Sequence, residues 1–514
     1  MKGKKILRLL TGKFFITCLM LVLEILLIPG GIVVLTIYFN NIWLNISVVI
    51  LIALAMIAGV ISVSNSEINA EYKTVWMLVV CGLPVLGPFL YFILHYRKRQ
   101  RPILKNLQER FPNSGLLYVQ NIDVMKRIEQ KGDLEFGCAR LVLDKAYMPA
   151  TDATGFEYYT TGEEYAARFL EELRGAEKFI FLETFIIGEG QFWTEIRSIL
   201  KERAAAGVDV RLIYDDIGSM GRVERHFIRN LEQDGIHAIC FNPFRPVVDA
   251  AINNRDHRKI SVIDGKCAFT GGLNFADEYL NITHPHGKWK DSGILLRGRV
   301  VQNFTAMFLQ LWLPLRKENE DLSKYLSDAP EGDILCTTFT DYPVGRSTHI
   351  AEDLYLKLIY GAKKYIHITS PYLVIDGELK RALITAAHSG VEVSIIVPAI
   401  PDKKFVYSVT KAFYTELAKK NVKIYRYTPG FIHAKGIVCD GKTCILGSTN
   451  TDLRSFYLHF ECDAVLFDER ISAEVEKDFQ DILPECERVD PSKIRDGVFH
   501  RLGRSFLRIF APLL

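Results

Sequence analysis

The chain has 514 residues, of which 49% are hydrophobic and 24% charged, and its formal net charge at pH 7 is +3. This length accommodates two domains of about 150 to 200 residues plus an appendage, each large enough to bury a core. Because the net charge is close to zero, the protein as a whole is not expected to bind polyanions through its composition. Local clusters of basic residues therefore say more about its partners than the net charge does. The 10 cysteines are dispersed without a C-x-x-C pair, which predicts reduced or buried thiols rather than disulfides or a common zinc site.

Three apolar runs predict that the first hundred residues are bound to a membrane. They cover residues 14–38, 42–63 and 75–94, each close to the roughly 20 residues that cross a hydrocarbon core as a helix. The first run is the weakest, because Glu24 and a Pro-Gly-Gly sequence at 29–31 interrupt it. Three such runs within residues 1–100 favour transmembrane helices over the alternative of buried core helices.

Basic clusters on both sides of these runs predict where the rest of the chain lies. Such clusters prefer the cytoplasmic side of a membrane, and placing both there requires an even number of crossings. Two full spans plus one interfacial or re-entrant segment satisfy this condition, whereas three full spans would put one cluster on the wrong side. We expect the remaining chain to be cytoplasmic, with two or three crossings left open. The clusters are Lys2, Lys4, Lys5, Arg8 and Lys13 before the first run, and Arg97, Lys98, Arg99 and Arg101 after the last.

Beyond a connector at residues 101–149, strand-like and helix-like segments alternate. Residues 178–187 (KFIFLETFII) predict a buried strand, 193–207 predict a helix that stops at Gly207, and 208–219 (VDVRLIYDDIGS) predict a second strand that ends in a polar loop. This alternation is typical of an α/β fold whose sheet has substantial parallel content and is covered by helices.

The same order of segments returns later in the chain. GAEKFIFLETFII at Gly175 is matched by GAKKYIHITSPYLV at Gly361, an offset of 361 − 175 = 186 residues, and AAAGVDVRLIYDDIG is matched by AAHSGVEVSIIVPAI. An offset of this size is far too long for a solenoid repeat and predicts the duplication of a whole α/β domain. A charged segment at 317–333 marks the boundary, so we expect one domain at 150–325 and a second at 326–514.

Two short motifs lie at corresponding places in the two domains. Residues 254–274 read NRDHRKISVIDGKCAFTGGLN, and residues 431–450 read FIHAKGIVCDGKTCILGSTN. Five pairs of residues share one offset of 176: His257 and His433, Lys259 and Lys435, Asp264 and Asp440, Gly271 and Gly447, and Asn274 and Asn450. One H-x-K would more often be structural, but two copies with five matching positions predict a functional site.

The spacing within each motif indicates how such a site would form. In an extended strand, residues i and i+2 project from the same face, so the histidine and lysine of each motif should point together. The Asp-Gly step that follows is a strong signal for a hairpin turn. The returning strand then brings the glycine pair and the asparagine back beside the histidine. An imidazole, an ammonium group and a carboxamide are thereby assembled on one surface.

The paired H-x-K-x4-D and G-[GS]-x-N motifs resemble those of the phospholipase D superfamily. Four features together resemble the bacterial cardiolipin synthases, and the likeness covers essentially the whole chain. They are the N-terminal membrane region, LPVLGPFLYF at 83–92, DDIGS at 215–219 and NTDLRSFYLHFE at 450–461. The resemblance implies two duplicated phospholipase D-like α/β domains that share one active site, preceded by N-terminal transmembrane helices. It also implies a multi-pass protein of the bacterial cell membrane that makes cardiolipin and glycerol from two phosphatidylglycerol molecules through a phosphohistidine.

The residue chemistry supports the same reaction independently. Donors on Lys259, Lys435, Asn274 and Asn450 suit the negative charge that builds on phosphoryl oxygens during displacement. One imidazole can attack phosphorus while the other protonates the departing oxygen. The resemblance implies that His257 is the nucleophile and His433 the acid and base, with the reverse left open because the motifs are nearly symmetric.

Acidic residues complete the expected site. Each imidazole needs a carboxylate that fixes its tautomer, and the resemblance implies an acidic residue beyond the motif asparagine. Glu461 is then expected to orient His433, and Asp291 to orient His257. The motif residues Asp264 and Asp440 either take part in catalysis or anchor the hairpin turns, and both alternatives remain open.

The expected cofactors and partners follow from the same residues. No metal or other cofactor is expected, because lysines replace the cation and the sequence has no H-E-x-x-H or G-x-x-x-x-G-K-[ST] motif. The expected partners are phosphatidylglycerol and other membrane lipids rather than nucleic acid. A phospholipase D-type hydrolase that uses water as acceptor is the alternative function. A non-catalytic membrane scaffold is disfavoured, because both motifs are intact.

Two further features stand outside the motifs. His459 lies two residues before Glu461, where relatives in the resembled family commonly carry asparagine, and a surface or packing role is the default expectation. The segment HRLGRSFLRIFAPLL at 500–514 alternates arginines with apolar residues. This pattern fits either an amphipathic helix on anionic lipid or an ordinary packing helix.

Overall fold

The computed structural model describes residues 42–99, 117–118, 120–244, 253–343, 349–494, 497–509 and 511–513, together with four single positions before residue 42. The chain divides into two compact units. One consists mainly of Met1–Pro102, and the other of Ile103–Phe241 together with Arg255–Arg508.

The first unit contains the helices α1 (Ile42–Ser64), α2 (Ala70–Gly82) and α3 (Leu86–Arg99). Within the described residues, only α1 is long and apolar enough to cross a membrane, over Ile46–Ser64, and most of its side chains face outward. The three helices pack on one another, and Tyr91 of α3 makes an edge contact with Trp76 of α2 at 5.3 Å between ring centroids.

The apolar run at 75–94 is divided between two helices, so it does not form one continuous span; the number of crossings stays a prediction. α2 ends at Gly82 and α3 begins at Leu86, because Pro84 lacks a backbone N–H and disfavours helical geometry in the residue before it. Helices of 13 and 14 residues extend about 20 Å, less than the roughly 30 Å of a hydrocarbon core. An interfacial or re-entrant α2–α3 pair remains a prediction. The run at 14–38 lies almost entirely outside the described residues.

The second unit is built on two mixed β-sheets and one short parallel pair. Their strands are, in chain order, β1 (Ala150–Ala153), β2 (Gly155–Tyr159), β3 (Phe179–Thr184), β4 (Asp209–Asp215), β5 (His237–Phe241), β6 (Ile260–Ile263), β7 (Cys267–Gly271), β8 (Lys288–Lys290), β9 (Gly293–Arg297), β10 (Ile334–Asp341), β11 (Tyr365–Thr369), β12 (Glu392–Pro398), β13 (Lys423–Tyr427), β14 (Gly430–Ile432), β15 (Gly436–Cys439), β16 (Thr443–Gly447), β17 (Glu461–Leu466) and β18 (Cys486–Arg488).

The two sheets have the same topology, which confirms the duplication. The first has the order β2-β9-β7-β6-β3-β4-β5, and the second has the order β1-β10-β17-β16-β15-β11-β12-β13-β18. Without the edge strands β1 and β18, each strand of one sheet has a counterpart in the other. The strands β3, β4 and β5 are parallel, as are β11, β12 and β13, and the remaining pairs are antiparallel. The continuous apolar runs fit β3, β4 and β12, which are buried on both faces over nearly their whole length.

Helices cover the two sheets. They are α4 (Ile122–Lys131), α5 (Asp133–Ala146), α6 (Gly162–Arg174), α7 (Gln191–Ala205), α8 (Phe227–Gln233), α9 (Val300–Arg316), α10 (Ile350–Gly361), α11 (Gly377–His388), α12 (Lys404–Ala418), α13 (Leu453–Tyr457), α14 (Glu469–Ile482) and α15 (Val498–Ile509). The helix α9 is buried along most of its length and packs against strands of both sheets, so the two halves share one core.

The halves interlock at their boundary. β1 begins at the predicted start of the first domain but pairs with β10 of the second sheet, with Ala150 opposite Thr337. The helix α5, from the predicted connector, packs on α10 of the second half. The structural boundary therefore differs from the expected boundary at residue 150.

The C-terminal segment forms the helix α15. The side chains of Phe499, Leu502 and Phe506 are 87%, 60% and 61% exposed, and they lie on one face at helical spacing. On another face Arg508 donates to the carbonyl of Ala412 at 3.1 Å and pairs with a glutamate of α12. An apolar face turned to solvent favours the amphipathic alternative over an ordinary packing helix.

We expect this exposed face to insert into the headgroup region of anionic membranes, because apolar area and arginine charge both favour that position. A tryptophan introduced by Phe506→Trp should be quenched by brominated phosphatidylglycerol in proteoliposomes of the full chain. The matched variant Leu507→Trp, on the less exposed face, should be quenched much less. Equal quenching of the added fluorescence in both variants would contradict insertion of this face.

Candidate active site

Both motifs fold as the predicted hairpins. In the first half, the extended residues from His257 to Lys259 lead into β6, and β7 returns antiparallel to it and ends just before Asn274. In the second half, β15 and β16 repeat this arrangement after His433. The histidines and lysines of both motifs are buried, so any substrate phosphate that reaches them is largely removed from water.

The imidazole of His257 faces a carboxylate from the second half. Its Nδ1 lies 3.0 Å from each carboxylate oxygen of Glu461. A short backbone bridge between the halves explains this contact. The N–H of His257 donates to the carbonyl of Phe460 at 3.0 Å, and the N–H of Phe460 donates to the carbonyl of Arg255 at 2.8 Å. The bridge holds Glu461, the next residue, against the imidazole.

The imidazole of His433 faces a carboxylate from the first half. The strand β8 pairs in parallel with β14, and the N–H groups of His433 and Ala434 donate to the carbonyl of Lys290 at 2.7 and 3.1 Å. Asp291 follows directly, and its Oδ2 lies 2.7 Å from Nδ1 of His433. Each histidine is therefore oriented by the carboxylate of the opposite half.

This crossed arrangement corrects the expected pairing. The sequence assigned Glu461 to His433 and Asp291 to His257, since each carboxylate follows that histidine within one half. The structure brings the same two carboxylates to the site but exchanges them, because β8–β14 and the Phe460 bridge join the halves at the site.

The variable position of the G-[GS]-x-N motif touches the carboxylate of its own half. The hydroxyl of Ser448 donates to Oε2 of Glu461 at 2.5 Å. The corresponding residue in the first half is Gly272, where a Cβ would lie 1.9 Å from Oδ1 of Asp291. Glycine is required there because the carboxylate occupies the space of a side chain, whereas serine supplies a hydrogen bond. Neither role could be read from the motif.

The two lysines give the ligand-free site a positive field. Lys435 Nζ lies 3.0 Å from both ring nitrogens of His433, so these two side chains share one face as predicted. Burial lowers the pKa of Lys259 to about 8 and that of Lys435 to about 7. Burial and then the Lys435 charge lower the pKa of His433 to about 4, although Asp291 opposes them. Burial, Lys259 and Lys435 likewise hold the pKa of His257 well below its usual value.

The two motif asparagines differ in their surroundings. Asn274 is held within its own half: its Oδ1 accepts from the N–H of Ile186 at 3.0 Å, and its Nδ2 donates to the Tyr279 hydroxyl at 2.7 Å. The Oδ1 of Asn450 is buried and has no hydrogen-bond partner within the described part of the chain. Asn450 is thus the better candidate for a substrate contact, and Asn274 secures the loop beside β3.

Asp264 and Asp440 anchor the turns and lie away from the histidines. The carboxylate of Asp264 accepts from the backbone N–H groups of residues 177–179 at 2.7 to 3.1 Å, and that of Asp440 accepts from residues 363–365 at 2.8 Å. Five strand steps of about 3.3 Å put Asp264 roughly 16 Å from Lys259. A direct catalytic role for these aspartates is corrected to the turn-anchoring alternative.

Two supporting residues were missed as site residues in the sequence. Asp215, in the DDIGS segment, is fully buried and accepts from the N–H of Asp256 at 3.0 Å, which holds the residue before His257. Burial raises the pKa of Asp215 to about 7. Tyr279 contacts both Asn274 and the ring of His433, at 5.3 Å between ring centroids. The unusual Asp-Asp-Ile-Gly-Ser composition was the available signal for Asp215, whereas nothing local marked Tyr279.

His459 is drawn into the site rather than onto the surface. Its side chain is buried, and its ring lies 5.4 Å from the ring of His257. Of the two expected alternatives, a surface or a packing role, the structure agrees with packing. The corresponding position in the first half, two residues before the orienting carboxylate, is Trp289, whose ring lies 5.3 Å from that of His433.

Known proteins share this architecture and these motifs. Residues 169–312 and 355–483 match the family described as cardiolipin synthase, PLD-like domain, and residues 48–94 match the phospholipase D-nuclease N-terminal family. A cardiolipin synthase of Geobacillus thermodenitrificans is 32% identical over 485 residues, or 91% of this chain and 93% of that protein. An uncharacterized protein of Streptococcus mutans is 35% identical over 469 residues, or 89% of this chain and all of that protein.

A solved structure supports the fold. The crystal structure of phosphatidylserine synthase from Haemophilus influenzae aligns with a TM-score of 0.55 and 15% identity, over 73% of this chain and 98% of that chain. The duplicated sheets and paired histidine motifs therefore define a phospholipase D-like protein. Within that class, the chain belongs to the cardiolipin synthase family.

We expect Asp264→Ala to destabilise the protein, because three backbone N–H groups lose their acceptor and an unsatisfied group costs about 1–3 kcal/mol. The midpoint of thermal unfolding should fall by several degrees in detergent solution. Asp264→Asn keeps one acceptor oxygen and should cause a smaller loss. An unchanged midpoint in Asp264→Ala would contradict the anchoring role.

We also expect the site to take up protons when it binds a phosphodiester anion, because negative charge offsets the lysines and raises the pKa values of His433 and Lys435. Diethyl phosphate is a suitable probe, since it does not itself titrate near neutral pH. Calorimetry in buffers of different ionisation enthalpy should detect proton uptake by the protein. Near pH 7 the proton is taken up mainly by Lys435, and near pH 5 mainly by His433. Lys435→Met should remove the uptake near pH 7. Proton release on binding would contradict this account.

Proposed function

We propose that this protein is a membrane phosphatidyltransferase that makes cardiolipin and glycerol from two phosphatidylglycerol molecules. One observation carries the proposal: two imidazoles, each with its own carboxylate and lysine, lie in a single buried site formed by both halves. The membership of the chain in the cardiolipin synthase family supports this choice of donor and acceptor.

The first step transfers a phosphatidyl group to the protein. The Nδ1–H of His257 donates to Glu461, which leaves the Nε2 lone pair free to attack phosphorus. The bond from phosphorus to the headgroup glycerol oxygen breaks, and His433 gives its proton to that oxygen. The products are free glycerol and a phosphatidyl group bound to His257.

Electrostatics favour these roles over the reverse. The principal influences on the pKa of His257 all lower it, namely burial, both lysines and His433, so this imidazole stays neutral and nucleophilic. For His433, the carboxylate of Asp291 opposes burial and Lys435. His433 is therefore the easier of the two to protonate once a phosphodiester offsets the lysine charges.

The second step returns the phosphatidyl group to a lipid. A glycerol hydroxyl of the second phosphatidylglycerol gives its proton to His433 and attacks phosphorus, the bond to His257 breaks, and cardiolipin is released. Lys259 and Lys435 stabilise the charge on the phosphoryl oxygens in both steps. The rings of Tyr279, Trp289 and Phe431 surround His433 at 5.3 to 6.0 Å, which restricts water and favours a lipid hydroxyl as acceptor.

The membrane position belongs to the same proposal. The helix α1 anchors the chain in a bacterial cell membrane, where both substrates are found, and α15 lies on its surface. The basic clusters favour a multi-pass arrangement with the catalytic halves in the cytoplasm.

The test is to incubate the purified full chain with phosphatidylglycerol and identify the products by mass spectrometry. Cardiolipin and glycerol in equal amounts are expected, whereas phosphatidic acid as the main product would indicate a hydrolase. His257→Ala should abolish product formation. His433→Ala should slow it about 10²- to 10⁴-fold, the usual contribution of acid–base catalysis.

The control variant is His237→Ala, which changes an exposed histidine of β5 and should keep full activity. Membrane insertion of all three variants should match that of the unmodified protein. Substantial cardiolipin formation by His257→Ala would overturn the mechanism. Labelled lipid bound to His433 after a detergent quench kept above neutral pH, where the phosphorus–nitrogen bond survives, would reverse the two roles.

A further inference from the structure

His459 packs beside the rings of His257 and Phe185, at 5.4 and 6.4 Å between centroids, but its ring nitrogens are not satisfied by hydrogen bonds. Only 8% of the residue is exposed, yet neither ring nitrogen has a hydrogen-bond partner among the residues that the structure describes. The nearest carboxylate oxygen, Oε1 of Glu461, lies 3.7 Å from Nδ1, which is too long for a hydrogen bond. Its counterpart Trp289 instead donates from its indole nitrogen to Asp291 at 3.4 Å. A buried imidazole with two unsatisfied nitrogens calls for a ligand.

The neighbouring donors complete a metal-binding set. One ligand atom from each of His257, His459 and Glu461 lies within 4.8 Å of the others. In a tetrahedral zinc site with bonds of about 2.0 to 2.1 Å, neighbouring ligand atoms are roughly 3.3 Å apart. The separations of 3.0 Å from His257 to Glu461 and 3.7 Å from His459 to Glu461 bracket that value. Two histidines and one glutamate are also a donor set of zinc enzymes with an open fourth position.

The geometry points to an inhibitory site for a divalent transition metal of the zinc class, formed by His257, His459 and Glu461. Binding is a property of these three side chains alone, whereas inhibition rests on the function proposed above. A metal on Nδ1 of His257 displaces the proton held there, and the neutral imidazole then carries its proton on Nε2. The Nε2 lone pair is thereby lost, and with it the nucleophile. The metal also takes the carboxylate that orients His257.

The site should discriminate between metals. Nitrogen donors suit zinc and cobalt, whereas magnesium prefers an octahedral shell of oxygens. Zinc should therefore inhibit the formation of cardiolipin at concentrations where magnesium does not.

The test compares the protein with His459→Asn, which removes one ligand and keeps a polar side chain of similar size. After treatment with a chelator, both proteins are titrated with Co²⁺, whose visible absorption reports tetrahedral coordination. The unmodified protein should show an absorption band that the variant lacks. Cobalt bound to cysteines can be distinguished from cobalt at this site, because cobalt–thiolate bonds absorb in the near ultraviolet. His237→Asn is the matched control and should keep the band.

Activity assays complete the test. The rate of each protein is first measured with chelator present, and zinc inhibition is expressed relative to that rate. The zinc concentration for half-inhibition should rise at least about tenfold in His459→Asn, because even the loss of a partner outside the ligand shell weakens metal binding by about that factor. An unchanged cobalt spectrum or unchanged zinc inhibition in His459→Asn would overturn the proposal. If neither protein forms cardiolipin but the cobalt band is lost in the variant, the metal site stands and the proposed function fails.

Discussion

The crossed pairing of histidines and carboxylates is the contact on which the rest of the site depends. Asp291 and Glu461 are fully buried, and each serves the imidazole of the opposite half. A buried carboxylate without enough partners is costly, and the imidazole of the opposite half adds one to the hydrogen bonds that each carboxylate receives from its own half. The shared helix α9, the exchanged strand β1 and the β8–β14 pair all hold the halves in the register that this contact requires. Duplication alone supplies two motifs, and the exchange of carboxylates between the halves joins the two motifs in one site.

Much of the fold could be predicted because it is encoded in local periodicity. The strand β3, the helix α7 and the β6–β7 hairpin follow from apolar runs, helical spacing and an Asp-Gly turn, and the repeat revealed the second copy. The pairing of Glu461 with His257 could not be predicted, because it is set by backbone bonds between segments about 200 residues apart. The break between α2 and α3 was available in the sequence, since Pro84 marks it.

Burial gives the ligand-free site its chemical character. The same removal from water that lowers the pKa values of the lysines and histidines strengthens their attraction for an anion. Without a phosphodiester, positive charges crowd one another and both imidazoles remain neutral. A phosphodiester relieves that repulsion and makes protonation of His433 favourable. In the proposed mechanism, the acid would thus be formed when the substrate binds, without a separate group to hold the proton beforehand.

Departures from symmetry assign different tasks to the two halves. The two halves differ at the position two residues before the orienting carboxylate. In the first half, Trp289 precedes Asp291 and lies beside His433. In the second half, His459 precedes Glu461 and lies beside His257. The indole can only donate a hydrogen bond, and it supports Asp291. The imidazole can instead coordinate a metal, and it lies beside the nucleophile. If the two positions were interchangeable in function, His459→Trp would support Glu461 as Trp289 supports Asp291. Such a protein would lose the third metal ligand and, with it, the inhibition by zinc that we propose.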